Sequence, residues 1–226
     1  MEQLLLLHGA IGAKDQLEPL KQQLSSQFIV HSINLSGHGS EALPEHFSIE
    51  QFAKDVITFL DKHAIPTINI FGYSMGGYVA LYLAKHYPER VKKVMTLATK
   101  FLWTPEIAQK EVKMLNPEAI AEKLPAFAQT LERRHQPNDW KEVLKKTAAM
   151  MLKLGEQNTL SLTDYSSIDQ SVMISIGDKD SMVTLEETIA VYRQLKNVQF
   201  MVFPNTQHPI ERVDVNRLSS EIKSWF

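Results

Sequence analysis

Cysteine is absent from the 226 residues of this chain. Its absence excludes a disulfide framework, a thiolate nucleophile and a zinc site built on cysteine. Long apolar runs are absent as well, since the longest one near the start covers only residues 4–7 and follows no basic region. A secretory signal needs a longer apolar core after positive charge, and a membrane span needs about 20 apolar residues. We therefore expect a soluble, cytoplasmic protein with no membrane partner.

The sequence also lacks a large excess of either charge. Its 24 lysines and arginines and 26 acidic residues give a formal net charge of −2 at pH 7. Such a balance provides no general attraction to nucleic acid, so the expected partner is a small molecule. The length allows one globular domain with an insertion and is too short for two ordinary domains. The oligomeric state is left open.

Six short apolar runs recur along the chain, and helix-like stretches follow most of them. Continuous runs that are apolar on both faces predict buried strands of a parallel sheet. Their alternation with helices predicts right-handed βαβ units and helices on both faces of the sheet. We therefore predict an α/β fold with a six-stranded, mostly parallel sheet. The predicted strands are 4–7, 28–33, 67–71, 91–97, 172–176 and 198–203, and the predicted helices include 16–24, 49–63, 78–86 and 186–195.

Residues 101–161 interrupt this alternation, because they contain no strand candidate. Asn116 and Asn138 are residue types that start helices. We predict that the segment is a helical lid over the C-terminal edge of the sheet and that the rest of the chain is the core. The core ranges are 1–100 and 162–226, and the predicted lid helices are roughly 105–115, 117–135 and 139–154.

The predicted lid supplies candidate pocket residues. Trp103, Met150 and Met151 are apolar, and methionine adapts to ligands of varied shape. The alternative is that these side chains only hold the helices together. Arg133 and Arg134 belong to a basic run beside acidic residues, which we interpret as a solvated helix face.

Residues 72–77 carry the strongest local motif, Gly-Tyr-Ser-Met-Gly-Gly, between a predicted strand and a predicted helix. In that position a G-x-S-x-G string predicts a sharp turn in which Ser74 has a strained backbone and an exposed hydroxyl. The glycines on both sides remove side chains that would collide where the backbone doubles back. The alternatives are a turn that binds nothing and a phosphate-binding loop, although the G-x-G-x-x-G pattern of dinucleotide loops is missing.

Serine needs a nearby base, and the base needs a third group to orient it. An acidic loop with Asp178 and Asp180 follows strand 172–176, and a loop with His208 follows strand 198–203. Because the carboxyl ends of parallel strands meet at one edge of a sheet, we expect these groups to gather near Ser74. The alternative for His208 is a surface loop histidine.

The chain order Ser74, aspartate, His208, with each residue just past a strand, resembles the α/β-hydrolase superfamily. The likeness covers the whole chain and implies a minimal form of that fold, without the first two strands that are usual in the family. Small members carry a G-x-K/E-D-x-x-V loop in which the second acidic residue is the triad acid. By that pattern Asp180 orients His208, and Asp178 caps the turn.

The resemblance also assigns an oxyanion hole. The segment His-Gly-Ala-Ile-Gly that begins at His8 is similar to the HG-type oxyanion motif of the family. In that motif the histidine is structural, and the resemblance gives the N–H donors as Ala10 and Met75. His38 lies in a stretch similar to another local turn of the family. His135 is interpreted as an ordinary surface or core residue.

These features imply a serine hydrolase that cleaves a small or medium carboxylic ester through an acyl-enzyme, with no metal or cofactor. One alternative keeps the triad but acts on a C–C bond, as a hydrolase or a lyase of the menaquinone-pathway type. Lid arginines that bind substrate carboxylates would favour the lyase, and Arg133 and Arg134 are the only two. A second alternative is a ligand-binding protein on a hydrolase fold, against which an intact triad argues.

Overall fold

The computed structural model describes residues 1–226 and contains one six-stranded sheet in the order β2-β1-β3-β4-β5-β6. Every neighbouring pair is parallel, which confirms the predicted fold class. The strand order reverses between β1 and β3, and in open α/β sheets ligands bind outside the carboxyl ends of the strands at such a point. The strands are β1 Glu2–Leu7, β2 Phe28–Ser32, β3 Ile68–Tyr73, β4 Val91–Leu97, β5 Ser171–Gly177 and β6 Val198–Phe203.

Helices cover both faces of this sheet, as predicted. Strand β1 illustrates the arrangement, because Leu4 and Leu6 join one hydrophobic cluster while Leu5 and Leu7 join the other. All four leucines are fully buried. The helices that pack on the Leu4 face are α1 Glu18–Leu24 and α9 Val215–Trp225, and those on the Leu5 face are α2 Ile49–Lys62, α3 Met75–His86 and α8 Leu185–Tyr192.

The two edge strands depart from the predicted burial on both faces. Ile29 in β2 is 48% exposed and Val202 in β6 is 38% exposed. An edge strand has a neighbour on only one side, so fewer helices cover it. Continuous apolar runs therefore indicated strands at these positions but overstated how deeply the strands are buried.

Four helices connect β4 to β5, namely α4 Pro105–Val112, α5 Pro117–Lys123, α6 Pro125–His135 and α7 Trp140–Glu156. The prediction of one helix over 117–135 was wrong. Leu124 interrupts it with φ −132° and ψ 56°, because the ring of Pro125 disfavours a helical conformation in the preceding residue. That the segment acts as a lid stays a prediction.

The predicted helix starts in this segment have mixed outcomes. Asn116 accepts a hydrogen bond from the Ala119 N–H, as a helix-start residue should. Asn138 was wrongly predicted to start the next helix, since Asp139 caps α7 by accepting from the Lys141 N–H. The Asn138 amide instead donates to the Glu41 carbonyl oxygen at 2.6 Å and so connects this segment to the loop after β2.

None of the helices combines the length and the apolar character that crossing a membrane requires.

Helix α2 ends in a left-handed turn at a residue that is not glycine. Ala64 has φ 52°, and the turn is closed by hydrogen bonds from the Ile65 N–H to the Leu60 oxygen and from the Ala64 N–H to the Asp61 oxygen. This is the Schellman arrangement, in which glycine normally occupies the left-handed position because it has no Cβ.

Ala64→Gly should therefore raise the free energy of unfolding by about 0.5–1 kcal/mol. Glycine removes the strain energy of a left-handed residue with a Cβ, and this gain exceeds the cost of the larger conformational entropy of the unfolded chain. Urea unfolding measures the change. The matched control is Ala149→Gly, at an exposed position in the middle of α7, which should lower the same free energy by about 1 kcal/mol. A loss of stability in both variants would contradict the assignment.

Candidate active site

The candidate site lies at the carboxyl edge of the sheet, where the strand order reverses. Ser74 directly follows β3, Asp180 follows β5 and His208 follows β6. The structure brings these three side chains together although 134 positions separate Ser74 from His208 in the chain. Parallel strands bring this about, because every strand ends at the same edge.

Ser74 occupies the sharp turn between β3 and α3. Its backbone has φ 51° and ψ −117°, outside the regions that non-glycine residues favour. Two hydrogen bonds hold it there: the Ser74 N–H donates to the Leu97 oxygen at 2.8 Å, and the Thr99 hydroxyl donates to the Ser74 oxygen at 3.1 Å. The strained backbone is thus fixed by neighbouring strands and loops.

Two glycines allow this turn to pack against the sheet. A Cβ on Gly72 would lie 2.4 Å from the Gly76 carbonyl oxygen, and a Cβ on Gly76 would lie 2.4 Å from the Leu7 oxygen. Both obstacles are backbone atoms, which cannot rotate away. The first turn of α3 can therefore lie directly against β1 and β3 only with glycine at these positions.

A continuous series of hydrogen bonds joins the three side chains. Ser74 Oγ lies 3.3 Å from His208 Nε2, and His208 Nδ1 lies 2.8 Å from Asp180 Oδ2. Because a carboxylate only accepts, Nδ1 carries the hydrogen, and in the neutral ring Nε2 is free to accept the serine proton. Asp178 does not contact His208; its Oδ1 accepts the Thr206 N–H at 3.1 Å and joins the loops after β5 and β6.

Asp180 is held as a carboxylate by its hydrogen bonds. Burial alone would raise its pKa, but the hydrogen bond and charge of His208 and the N–H groups of Met182 and Val183 together hold the pKa below its usual value. The carboxylate therefore stays ionised where it can fix the imidazole tautomer and stabilise an imidazolium.

Tyr73 holds the histidine loop in place. Its hydroxyl donates to the His208 carbonyl oxygen at 3.0 Å, and the two rings lie 5.7 Å apart between centroids. Burial raises the pKa of Tyr73, so the phenol keeps the proton that it donates. Tyr73 was part of the predicted turn motif, but local sequence gave no sign of this contact with a residue 135 positions away.

Two backbone N–H groups beside Ser74 have no acceptor within the chain. Met75 is the first residue of α3, where a helix leaves N–H groups without an internal partner. The Ala10 N–H, in the loop after β1, donates to no carbonyl oxygen. Both residues line the same cavity as Ser74 and His208. The two predicted oxyanion donors thus line the same cavity as Ser74, and neither N–H group donates a hydrogen bond within the chain.

His8 fixes the start of the loop that contains Ala10. Its Nδ1–H donates to the Gly9 oxygen at 2.8 Å, and its Nε2 accepts the Leu35 N–H at 3.2 Å. The side chain is fully buried, and burial lowers the pKa of His8 to about 4. A neutral histidine is the form that can both donate and accept these bonds.

His135 connects α6 to the same loop, which the sequence did not predict. Its Nε2–H donates to the Ile11 oxygen at 3.0 Å, and its Nδ1 accepts the Gly39 N–H at 3.1 Å. The side chain is buried beside His38, with 5.9 Å between ring centroids. Burial lowers the pKa of both histidines. His135 therefore connects the helical segment to the loop that contains Ala10.

A cavity of about 310 Å³ opens beside Ser74. Most of its lining is hydrophobic, and it includes all three candidate pocket residues, Trp103, Met150 and Met151. This volume is at the lower end of the range for small-molecule sites. No group of three or more histidine, aspartate and glutamate side chains is arranged to hold a metal ion.

Arg134 also lines the cavity, so its interpretation as part of a solvated helix face was wrong. Its side chain is only 9% exposed and lies 3.1 Å from Asp15 and 3.6 Å from Glu211. Two carboxylates on the core therefore draw this residue of α6 inward. Helical periodicity could not reveal the contact, because both partners lie far away in the chain.

Comparison with known proteins supports the fold. A sequence profile described as "alpha/beta hydrolase fold" matches residues 3–131. A probable alcohol acetyltransferase from Wickerhamomyces anomalus is 27% identical over 66% of this chain and 42% of its own length. A pimeloyl-(acyl-carrier protein) methyl ester esterase from Chromobacterium violaceum is 33% identical over 56% of this chain and 47% of its own length. The chain thus spans less than half of each of these two relatives.

A solved structure shares the fold over the whole chain. The thermophilic esterase from Thermogutta terrifontis superposes with a TM-score of 0.81, covering 100% of this chain and 89% of that one. The two sequences are 22% identical, so the likeness concerns the fold.

The buried histidines predict a loss of stability in mild acid. His8 takes up its proton at pH about 6.5 when unfolded but only at about 4 when folded, so the unfolded state binds more protons between these values. The free energy of unfolding should fall as the pH drops from about 6.5 to about 4, by about 3 kcal/mol from His8 alone. Urea unfolding at pH 7, 6, 5 and about 4 measures the slope.

His8→Gln keeps an acceptor for the Leu35 N–H but does not titrate. Its free energy of unfolding should therefore fall less with decreasing pH than that of the wild type, and the difference is the contribution of His8. The control is His46→Gln, at an exposed histidine, which should keep the wild-type slope. A pH dependence unchanged in His8→Gln would show that the pKa of His8 does not differ between the folded and unfolded states.

Proposed function

Since this chain belongs to the alpha/beta hydrolase family, we propose that it is a serine hydrolase that cleaves a small or medium carboxylic ester through an acyl-enzyme. The observation that carries the proposal is the series of hydrogen bonds from Ser74 through His208 to the buried carboxylate of Asp180. A ligand-binding protein would have no use for all three members at this spacing.

The proposed reaction has two steps. Neutral His208 takes the proton of Ser74 as the serine oxygen attacks the ester carbonyl, and Asp180 stabilises the imidazolium that forms. The N–H groups of Ala10 and Met75 donate to the negative oxygen of the tetrahedral intermediate. The imidazolium then protonates the leaving alcohol, and a water activated by the same imidazole releases the acid. These steps use groups of the chain alone and require no cofactor.

The size and lining of the cavity support an ester of small or medium size. About 310 Å³ of mostly hydrophobic surroundings accommodates an acyl or alkyl chain better than a polymer or a peptide. Helices α4, α6 and α7 supply one wall of this cavity, and the segment that contains them acts as its lid. The similar protein from C. violaceum is named as a methyl ester esterase, which also supports ester chemistry.

The surroundings of Arg134 argue against the lyase alternative. A lyase of the menaquinone-pathway type would use lid arginines to bind substrate carboxylates. Arg134 lines the cavity but is already paired with Asp15 and Glu211, so its charge is not available to a substrate anion. Ester cleavage therefore fits the charges of the cavity better than a lyase reaction on a carboxylate-rich substrate.

Ser74→Ala should abolish both covalent labelling by a fluorophosphonate probe and turnover of p-nitrophenyl esters of graded chain length, with kcat falling at least about 10³-fold. Ser220→Ala deletes the same atom from an exposed serine of α9 and should leave labelling and turnover unchanged. Labelling that persists in Ser74→Ala would mean that another residue is the nucleophile. Labelled Ser74 without turnover of any ester would favour the C–C bond chemistry.

Asp180→Asn should lower kcat/KM by about 10³–10⁴, because a carboxamide can donate to His208 Nδ1 and so favour the wrong tautomer. Asp178→Asn is the matched comparison, as its carboxylate accepts from backbone N–H groups of the loop after β6 and does not contact His208, and the amide oxygen of asparagine can still accept the Thr206 N–H. Rates on a p-nitrophenyl ester would separate the two. Similar losses in both variants would remove Asp180 from its proposed role.

A further inference from the structure

Glu111 is a buried carboxylate on the wall of the cavity. It belongs to α4, is only 6% exposed and lines the same cavity as Ser74. Its Oε2 atom is buried and has no hydrogen-bond partner, and no lysine, arginine or histidine nitrogen lies within 4 Å of the carboxylate. The mechanism proposed for ester cleavage does not use this residue.

An unpaired carboxylate in such surroundings destabilises the protein that contains it. Buried polar atoms in folded proteins are almost always hydrogen-bonded, and a buried charge is normally paired. A group that opposes stability without an internal partner is typical of a binding site, where a ligand supplies the missing partner.

The other charges of the cavity wall are already paired. The Lys100 ammonium lies 3.5 Å from Glu187 and donates to the Met182 carbonyl oxygen, and Arg134 lies between its two carboxylates. Two cations are therefore matched by three acidic groups before Glu111 is counted. The remaining negative charge favours a cation as the ligand group.

A second acceptor on the same wall also lacks a donor. Gln16 lines the cavity, its Nε2 donates to Glu211 at 2.7 Å, and its Oε1 is buried without a partner. Because Glu211 can only accept, the amide nitrogen must face it, and the oxygen is the end left over. Apart from the two N–H groups beside Ser74, the unsatisfied polar atoms of this wall are thus acceptors, which calls for a ligand that donates.

We propose that Glu111 binds a protonated amine of the substrate, so that the cavity takes esters whose acyl or alcohol part carries an ammonium group. The ammonium donates to the Glu111 carboxylate, and the chain between it and the ester lies against the hydrophobic lining. This deepens the proposed ester hydrolysis and rests on it for the reaction. The same charge works against substrates that carry a second carboxylate.

Calorimetric titration tests the binding without any turnover. The probes are n-alkylamines, which are protonated at pH 7, and n-alkanols of equal chain length, from butyl to octyl. The wild type should bind the amine of at least one length about tenfold or more tightly than the matching alcohol, because a hydrogen bond between two charged groups is stronger. Equal dissociation constants at every length would overturn the proposal.

Glu111→Gln should abolish this preference, since the amide removes the charge but keeps the size of the side chain. Glu122→Gln makes the same change at an exposed site on α5 and should keep the preference. Urea unfolding provides a second readout: loss of an unpaired charge should leave Glu111→Gln at least as stable as the wild type. A preference that survives in Glu111→Gln would show that the amine binds elsewhere, and a marked loss of stability would show that Glu111 has a structural role; either outcome would overturn the proposal.

Aminoalkyl and alkyl acetates of equal length then connect binding to turnover. The wild type should show a higher kcat/KM for the aminoalkyl ester, and Glu111→Gln should lose this advantage. Amine binding that depends on Glu111, without cleavage of any ester, would overturn the proposed ester hydrolysis but keep the amine site. Rapid ester cleavage without amine preference would overturn the amine site alone.

Discussion

The close approach of the first turn of α3 to β1 and β3 sets the other distances in the site. It depends on Gly72 and Gly76, where a Cβ would lie 2.4 Å from backbone oxygen atoms. The same approach imposes the strained backbone of Ser74 and places the free Met75 N–H beside the loop that carries Ala10. The local strain is maintained by the packing of the sheet, because a different conformation at Ser74 would separate α3 from both strands.

Local patterns were sufficient to predict the sheet and the edge where Ser74, Asp180 and His208 meet. The runs 91–97 and 198–203 coincide with β4 and β6 as the structure has them, because short segments rich in apolar residues favour strands even where, as in β6, the strand is only partly buried. Once the strands are known, parallel topology brings the residues that follow them to one edge. For this reason Ser74, Asp180 and His208 could be grouped without any knowledge of their separation in space.

The contacts between helices α4–α7 and the core could not be predicted in the same way. Arg134 and His135 are consecutive residues of α6, and their partners Asp15, Ile11 and Gly39 lie about a hundred positions earlier in the chain. A helical pattern indicates which residues share a face but does not indicate which distant surface that face meets. The end of α5 before Pro125 could have been predicted from the sequence, since proline disfavours a helical conformation in the residue before it.

The two kinds of contact made by α6 have different consequences for the cavity. His135 joins the loop that contains Ala10 through hydrogen bonds of a neutral ring, which add no charge beside the Ala10 N–H. Arg134 brings a charge to the cavity wall, but Asp15 and Glu211 match it within the protein. Charged groups that the protein neutralises itself can fix the position of a helix, whereas a charge left without a partner is available to a ligand. By that criterion the proposed selectivity of the site rests on Glu111, which folding leaves without a partner, and not on Arg134.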